Sequence, residues 1–143
     1  MLKHKIILGF DFGLKNIGVA VGQMITQSAS PLVILKAKNG APDWNEIKKL
    51  IIEWGVDALV VGLPLNMNGS EQAITHRARA FAVLLEKHFQ LPVYFSDERL
   101  TTLAAKAVMH ATVKGAARFD RADSISAQLI VESWFGSAQS PER

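Results

Sequence analysis

Cysteine is absent from this 143-residue chain. Disulfide staples and thiolate metal sites are therefore excluded, and the fold must rest on its core. Histidine is scarce: His4, His76, His88 and His110 are scattered, without the ligand spacing of a zinc site. Long apolar runs are missing too. The start, Met1-Leu-Lys-His-Lys5, is basic, yet the apolar stretch behind it, Ile6 to Phe10, is cut by Asp11. That stretch is too short for a secretion signal and far too short for a membrane span, so a cytoplasmic, non-membrane protein is expected. A strong charge excess is lacking as well. The net charge of +3 permits a polyanionic partner without pointing to one. No repeat, low-complexity tract or linker divides the sequence. With 49% hydrophobic and 20% charged residues, the length suits one globular domain over 1–143, its last few residues forming a disordered tail.

What is present reads as strands followed by alternating helices and strands. Ile6 to Phe10 is a continuous apolar run bounded by a turn, as in a strand buried on both faces. Gly13 to Asn16 supplies turn residues. Ile17, Val19 and Val21 then alternate with Gly18, Ala20 and Gly22, giving a strand with one bulky and one bare face. A third strand around Leu32 to Leu35 completes an antiparallel meander. Asp43 to Trp54 is helical, with Trp44, Ile47, Leu50, Ile51 and Trp54 on one stripe and Gly55 as its stop. Ala58 to Leu63 is another buried strand, and Pro64 to Gly69 a loop. A helix follows from Ser70, its cap, to about Phe89, then a short strand at Val93 to Phe95. The pattern continues with a helix over about Thr102 to His110, a basic Gly-Ala-rich loop, and a last helix from about Ala122 to Phe135. This order predicts an α/β fold: a mixed five-stranded sheet of order 3-2-1-4-5, strand 2 antiparallel, with helices on both faces.

In such a sheet, ligands collect at the carboxyl ends of the parallel strands. Asp11 ends the first strand, and Asp97-Glu98 ends the fifth. A carboxylate closing a buried strand must be paired, hydrogen-bonded or metal-bound. Asp123, Ala127, Ile130 and Trp134 share one helix face, which turns Asp123 inward above an apolar stripe. Asp120 reads as a cap ahead of that helix. Three carboxylates without histidine or cysteine describe an oxygen-ligand site for Mg²⁺ or Mn²⁺. Two such ions about 4 Å apart serve phosphodiester cleavage, with Asp11 bridging and Glu98 and Asp123 at either side. The same residues also admit plainer roles. Asp123 suits the first turn of a helix by charge alone, and Asp97 and Glu98 suit a solvated loop.

Four segments in register add a specific signal. They are Asp11-Phe-Gly-Leu-Lys-Asn-Ile-Gly-Val-Ala-Val21, Val61-Gly-Leu-Pro-Leu-Asn-Met-Asn-Gly69, Asp97-Glu-Arg-Leu-Thr-Thr102 and Asp123-Ser-Ile-Ser-Ala127. Together they closely resemble the YqgF (RuvX) family of bacterial proteins, relatives of the Holliday-junction resolvase RuvC, from about Ile6 to Phe135. The resemblance implies a ribonuclease H-like fold and divalent-metal nuclease chemistry. It also implies maturation of the 5′ end of the small-subunit (16S) ribosomal RNA precursor, with Holliday-junction resolution as the other activity proposed for members. Its acidic positions match Asp11, Glu98 and Asp123. Two departures stand out: Lys15 occupies a position where many members carry Arg, losing the bidentate fork, and Val113 to Arg121 matches the family poorly.

Further residues complete the expected site. Lys15 and Arg99 stand beside the acidic residues and are candidates for phosphate contact. Lys114, Arg118 and Arg121 form a basic patch in the loop before Asp123, fit either for nucleic acid or for solvent. Asn66, at the end of the fourth strand, borders the same edge. Trp44, Trp54 and Trp134 lie on apolar stripes and read as core rather than base-stacking residues. His110 has only its location to support a role in proton transfer. The expected partner is nucleic acid, an rRNA precursor or branched DNA, and through the former a ribosomal subunit precursor. The protomer would work as a monomer or homodimer. Two other classes compete. An ATPase of the actin, sugar-kinase and chaperone group opens with a similar strand, Asp and hairpin but needs a second domain. A non-catalytic factor in ribosome assembly or transcription would have no use for the acidic trio, since carboxylates repel phosphate unless metal intervenes.

Overall fold

The computed structural model describes residues 4–97 and 118–137, with side chains of the last helix described over 125–136. Three long strands come first: β1 (Ile6–Asp11), β2 (Asn16–Gln23) and β3 (Ser28–Lys38), followed by a two-residue β4 (Ala41–Pro42). Then α1 (Trp44–Trp54), β5 (Ala58–Leu63), α2 (Ala73–Phe89), β6 (Val93–Asp97) and α3 (Arg118–Ser137) alternate. The sheet order is β4-β3-β2-β1-β5-β6. β2 runs antiparallel to β1 and β3, while β5 and β6 run parallel to β1.

The expected order of five strands is contained in this sheet, which has a sixth strand at its edge. Asn39 and Gly40 both have positive φ, 50° and 86°. They form the tight turn that folds β4 back on β3, pairing Ala37 with Pro42 and Lys38 with Ala41. β3 is also longer than the Leu32 to Leu35 core expected of it, because its outer half stays exposed and so lacks an apolar signature.

Two apolar layers flank the sheet. Leu8, Phe10, Ile17, Val19, Leu59 and Val61 face α1 and α2, where Ile47, Phe81 and Leu85 meet them. Ile7, Ala20, Ala58 and Val60 face α3, against Ala127, Ile130, Val131 and Trp134. Each Val, Leu, Ile or Phe among them, fully buried, contributes about 1.5–3 kcal/mol. The bare face of β2 now has its reason. A Cβ on Gly22 would stand 2.6 Å from Val131, and one on Gly9 2.1 Å from it. Glycine at these two positions lets the helix lie close on the strands.

Helix ends follow local chemistry. The Asp43 side chain accepts from Asn45 N and caps α1, and Gly55 closes it with φ 65°. Ser70 does not cap α2, as expected of it. Gln72 does, through a reciprocal capping box with Thr75, whose hydroxyl also donates to the Pro64 carbonyl. Ser70 instead bonds Asn68 and Asn66 inside the loop. Trp44 and Trp134 join the core as expected, but Trp54 is 39% exposed, because α1 ends there and its stripe runs past the core. α3 begins at Arg118, so Asp120 lies within the helix and not ahead of it as a cap. The expected helix at Thr102 to His110 and the terminal tail lie outside the described residues. Among the described residues, no helix is long and apolar enough to cross a membrane.

Candidate active site

Asp11 is the last residue of β1 and pairs with Gly18 of β2. Leu8, Phe10 and Phe12 belong to the layer under α1 and α2, whereas Ile7 and Gly9 meet α3. Strand alternation therefore puts Asp11 on the α3 face, two residues beyond Gly9. It is half-buried there. On the other side, the pairing of β1 with β5 ends one rung earlier, at Phe10↔Val61. Gly18 carries no side chain, so the β2 residue paired with Asp11 leaves room beside it. The expectation of a carboxylate at the end of a buried strand holds, with half the burial still open.

The direction of α3 over the sheet follows from its contacts with two glycines. The Ala127 carbonyl lies 3.4 Å from the Cβ position of Gly9, so this turn of α3 sits over that residue. Phe135, further along, meets Gly22, which pairs near the start of β1. α3 thus runs from the Asp11 end of the sheet toward the opposite end. Four residues back from Ala127, the helix advances about 6 Å, matching the roughly 7 Å between Gly9 and Asp11 on the strand. The first turns of α3, which include residue 123, lie at the Asp11 end of the sheet.

The remaining candidates separate. Asp97 pairs with Leu63 and is exposed. Tyr94 packs in the α3 layer and Val93 in the other. Asp97 shares the parity of Val93, so it faces away from Asp11. Glu98, Arg99, Lys114 and His110 lie outside the described residues. Arg118 and Arg121 stand on the first turns of α3, their side chains outside the described part. Lys15 is exposed on the turn directly after Asp11. Asn66 is exposed too, but its amide nitrogen donates to Ser70 Oγ at 2.9 Å, so that donor is committed within its own loop. Among the described residues there is no group of three acidic or histidine side chains able to hold a metal. Asp11 supplies one hard oxygen donor, suited to Mg²⁺ or Mn²⁺ rather than to a soft metal.

Other features were not singled out from sequence. Glu71 leaves the Asn66 loop and receives two nitrogens of Arg79, the shorter contact being 2.6 Å. Arg79 also lies 5.4 Å above the ring of Phe95 on β6. Glu71 and Arg79 are eight residues apart, so only the bend of the loop brings them together. A groove between α1 and α2, lined by Trp44, Lys48, Ile52 and His88, lies on the opposite side of the sheet from Asp11 and has no carboxylate in its lining.

Comparison with known proteins agrees with this geometry. Residues 5–137 match the family described as RuvX, Holliday junction resolvase. A protein of Shewanella oneidensis named "Putative pre-16S rRNA nuclease" is 54% identical over 140 residues, covering 94% of this chain and 96% of the relative. A Pseudomonas putida protein of the same name is 50% identical over 136 residues, covering 94% and 96%. Among solved structures, Thermus thermophilus RuvC in complex with a Holliday junction substrate superposes with a TM-score of 0.56 at 15% identity, over 95% of this chain and 96% of that one. The yeast mitochondrial Holliday junction resolvase Ydc2 gives 0.52 at 11% identity, over 90% and 77%. These structural likenesses establish the α/β fold as ribonuclease H-like.

Proposed function

The chain belongs to the RuvX family, and from that premise we propose that it is a metal-dependent nuclease acting at the 5′ end of pre-16S rRNA. The observation that carries the chemistry is the seat of Asp11. It is a half-buried carboxylate at the end of β1, beside Gly18 and on the face that α3 covers. The substrate class is supported by relatives named as pre-16S rRNA nucleases that match nearly the whole chain at 50% identity or more.

Asp11, Glu98 and Asp123 would hold Mg²⁺ or Mn²⁺, as two ions. Asp97 shares the parity of Val93, on the α1 and α2 side of β6, and so faces away from Asp11. The third carboxylate of the trio is assigned to Glu98 from the family resemblance. Bound there, the ions supply Lewis acidity for the attacking water and the departing oxygen of an in-line displacement. The protein's own part is to fix carboxylate oxygens on a rigid strand end and helix face, where little rearrangement is needed. Gly18 leaves lateral room for a phosphodiester beside Asp11. Lys15 and Arg99 would hold its phosphate oxygens, Arg99 with a fork and Lys15 with a point charge. Asn66, Lys114, Arg118 and Arg121 would border the strand on either side. Such an enzyme works in the cytoplasm, on a ribosomal subunit precursor, and a monomer suffices for trimming.

The test is Mn²⁺-dependent cleavage of a pre-16S 5′ leader RNA and of a branched DNA by wild type and Asp11→Asn. Wild type should cut the RNA, and the variant should lose more than the roughly 100-fold that changes in outer-shell support cost a metal site. The RuvX description and the RuvC likeness favour junction resolution as the second reading, and preferential cutting of the branched DNA would establish it. Equal inertness of wild type and variant on both substrates would overturn the nuclease reading.

A further inference from the structure

The face of the sheet that carries Asp11 continues outward across β2 and β3. Asp11 pairs with Gly18, and Gly18 with Ile34. One step nearer the strand ends, Asn16 pairs with Lys36, and beyond it Lys38 pairs with Ala41. Leu35 and Ala37 pack into the layer under α1 and α2. By alternation Lys36 and Lys38 take the other face, the one shared with Asp11. Both are exposed, and among the described residues neither they nor Lys15 has an ion pair. A cationic strip with no acidic partner thus begins next to the carboxylate.

We propose that Lys36 and Lys38 form a phosphate track for the substrate strand, which runs from Asp11 over Gly18 and Asn16 onto β3. This rests on the nuclease reading above and adds the direction in which the strand leaves the site. Two interstrand spacings and two residues of rise put the Cα of Lys36 about 12 Å from that of Asp11, a few nucleotides along the backbone. Gly18 places no side chain across that path.

The strip is tied to the site. Ala37 N donates to the Lys15 carbonyl at 2.8 Å, and Gly40 N donates to the Leu14 carbonyl at 2.9 Å. Arg77 Nη2 donates to the Asn39 carbonyl at 2.6 Å. Gly40 lies so close to Phe12 that a Cβ would stand 2.8 Å from the ring. The β3–β4 hairpin is therefore fastened to the turn directly after Asp11, and the lysines keep a fixed offset from the carboxylate.

A different task for lysines here would be to guard an edge strand against pairing with other chains. β4 covers only two residues of β3, which leaves the rest of that edge open. Guarding works with charge of either sign, whereas phosphate binding needs positive charge. That difference makes the test.

Labelled single-stranded RNA and DNA of one length are titrated, with Ca²⁺ as the only divalent ion, against wild type, Lys36→Gln/Lys38→Gln and Lys36→Glu/Lys38→Glu over a range of NaCl. Both variants should bind both strands more weakly, the Glu pair more so. The slope of log affinity against log salt should become shallower by about 0.7 per lysine, or about 1.4 for the Gln pair. Unchanged affinity and slope in the Gln pair would overturn the proposal, as would a Glu pair that binds like wild type. Thermal melts verify the fold of each protein. If a double variant melts early, Lys38→Gln alone, at the exposed end of the hairpin, carries the measurement with an expected slope change of about 0.7. Failure of the nuclease reading is seen separately, as wild type inert in Mn²⁺, and leaves these binding slopes readable.

Discussion

Glu71 is tied to Arg79 by hydrogen bonds at 2.6 to 3.2 Å, and His76 stands 3.5 Å away. The hydrogen bonds from Arg79, reinforced by its charge and that of His76, hold the carboxyl below its ordinary value of 4.5. A lowered folded pKa adds stability above the unfolded pKa, and this is lost as pH falls through the folded one. Melting temperatures of wild type and Glu71→Gln should therefore differ near neutrality and converge as the pH drops below 4.5. The gap should be small, since the pair is exposed, and a gap that widened in acid would contradict the assignment. Residues of this kind were the hardest to read in the sequence. Asp11 was legible because a charge interrupts an apolar run. Lys36, Lys38 and Arg79 were not, because their meaning depends on strand register or on a loop closing over eight residues. Asn66 was legible as a polar group at a strand end, but not as one whose amide donates to Ser70.

At the scale of elements, the contact of α3 with the bare faces of β1 and β2 sets the geometry of the candidate site. Gly9→Ala would bring a Cβ to 2.1 Å from Val131 and 3.4 Å from the Ala127 carbonyl. Overpacking of this sort costs about 1–3 kcal/mol. Denaturant titration should show that loss for Gly9→Ala, and Gly9→Ala/Val131→Ala should be more stable than the sum of its two single changes implies. Strict additivity would mean that the helix does not rest on Gly9. Cleavage by Gly9→Ala should also fall, because the displaced helix carries Asp123. The alternation of small and bulky residues in β2 announced this contact, and β5 and α1 were likewise plain from periodicity and caps. β4 was not read from the sequence, because two residues carry no periodicity to mark a strand. The start of α2 misled because Ser70 is a common cap, whereas the capping box of Gln72 and Thr75 uses a less common one.

At the scale of the whole molecule, binding of a cation at a site formed only on folding must stabilise the native state. Mg²⁺ or Mn²⁺ at a hundred times its dissociation constant should raise stability by roughly 2.7 kcal/mol. A thermal melt should record that rise in wild type, lose it with chelator, and show none in Asp11→Asn. An equal rise in the variant would place the ion elsewhere. The parallel crossovers made the topology legible as a whole, since each helix between β1, β5 and β6 returns the chain in one direction. The pairing of Asp11 with Asp123 was read from helix phase alone, and the described residues fix only that α3 begins at the Asp11 end of the sheet. The packing of α3 on the strands also joins sequence positions far apart. The β1 and β2 part of the surface that α3 covers is complete by Gln23, while the helix starts at Arg118. At roughly 5–20 residues per second of synthesis, the β1–β2 hairpin waits several seconds or more on the ribosome for its cover. Bulky apolar side chains exposed for that time would invite association with other nascent chains. Gly9, Gly18, Ala20 and Gly22 expose little that is adhesive, so the close packing that suits the finished enzyme also protects the unfinished one.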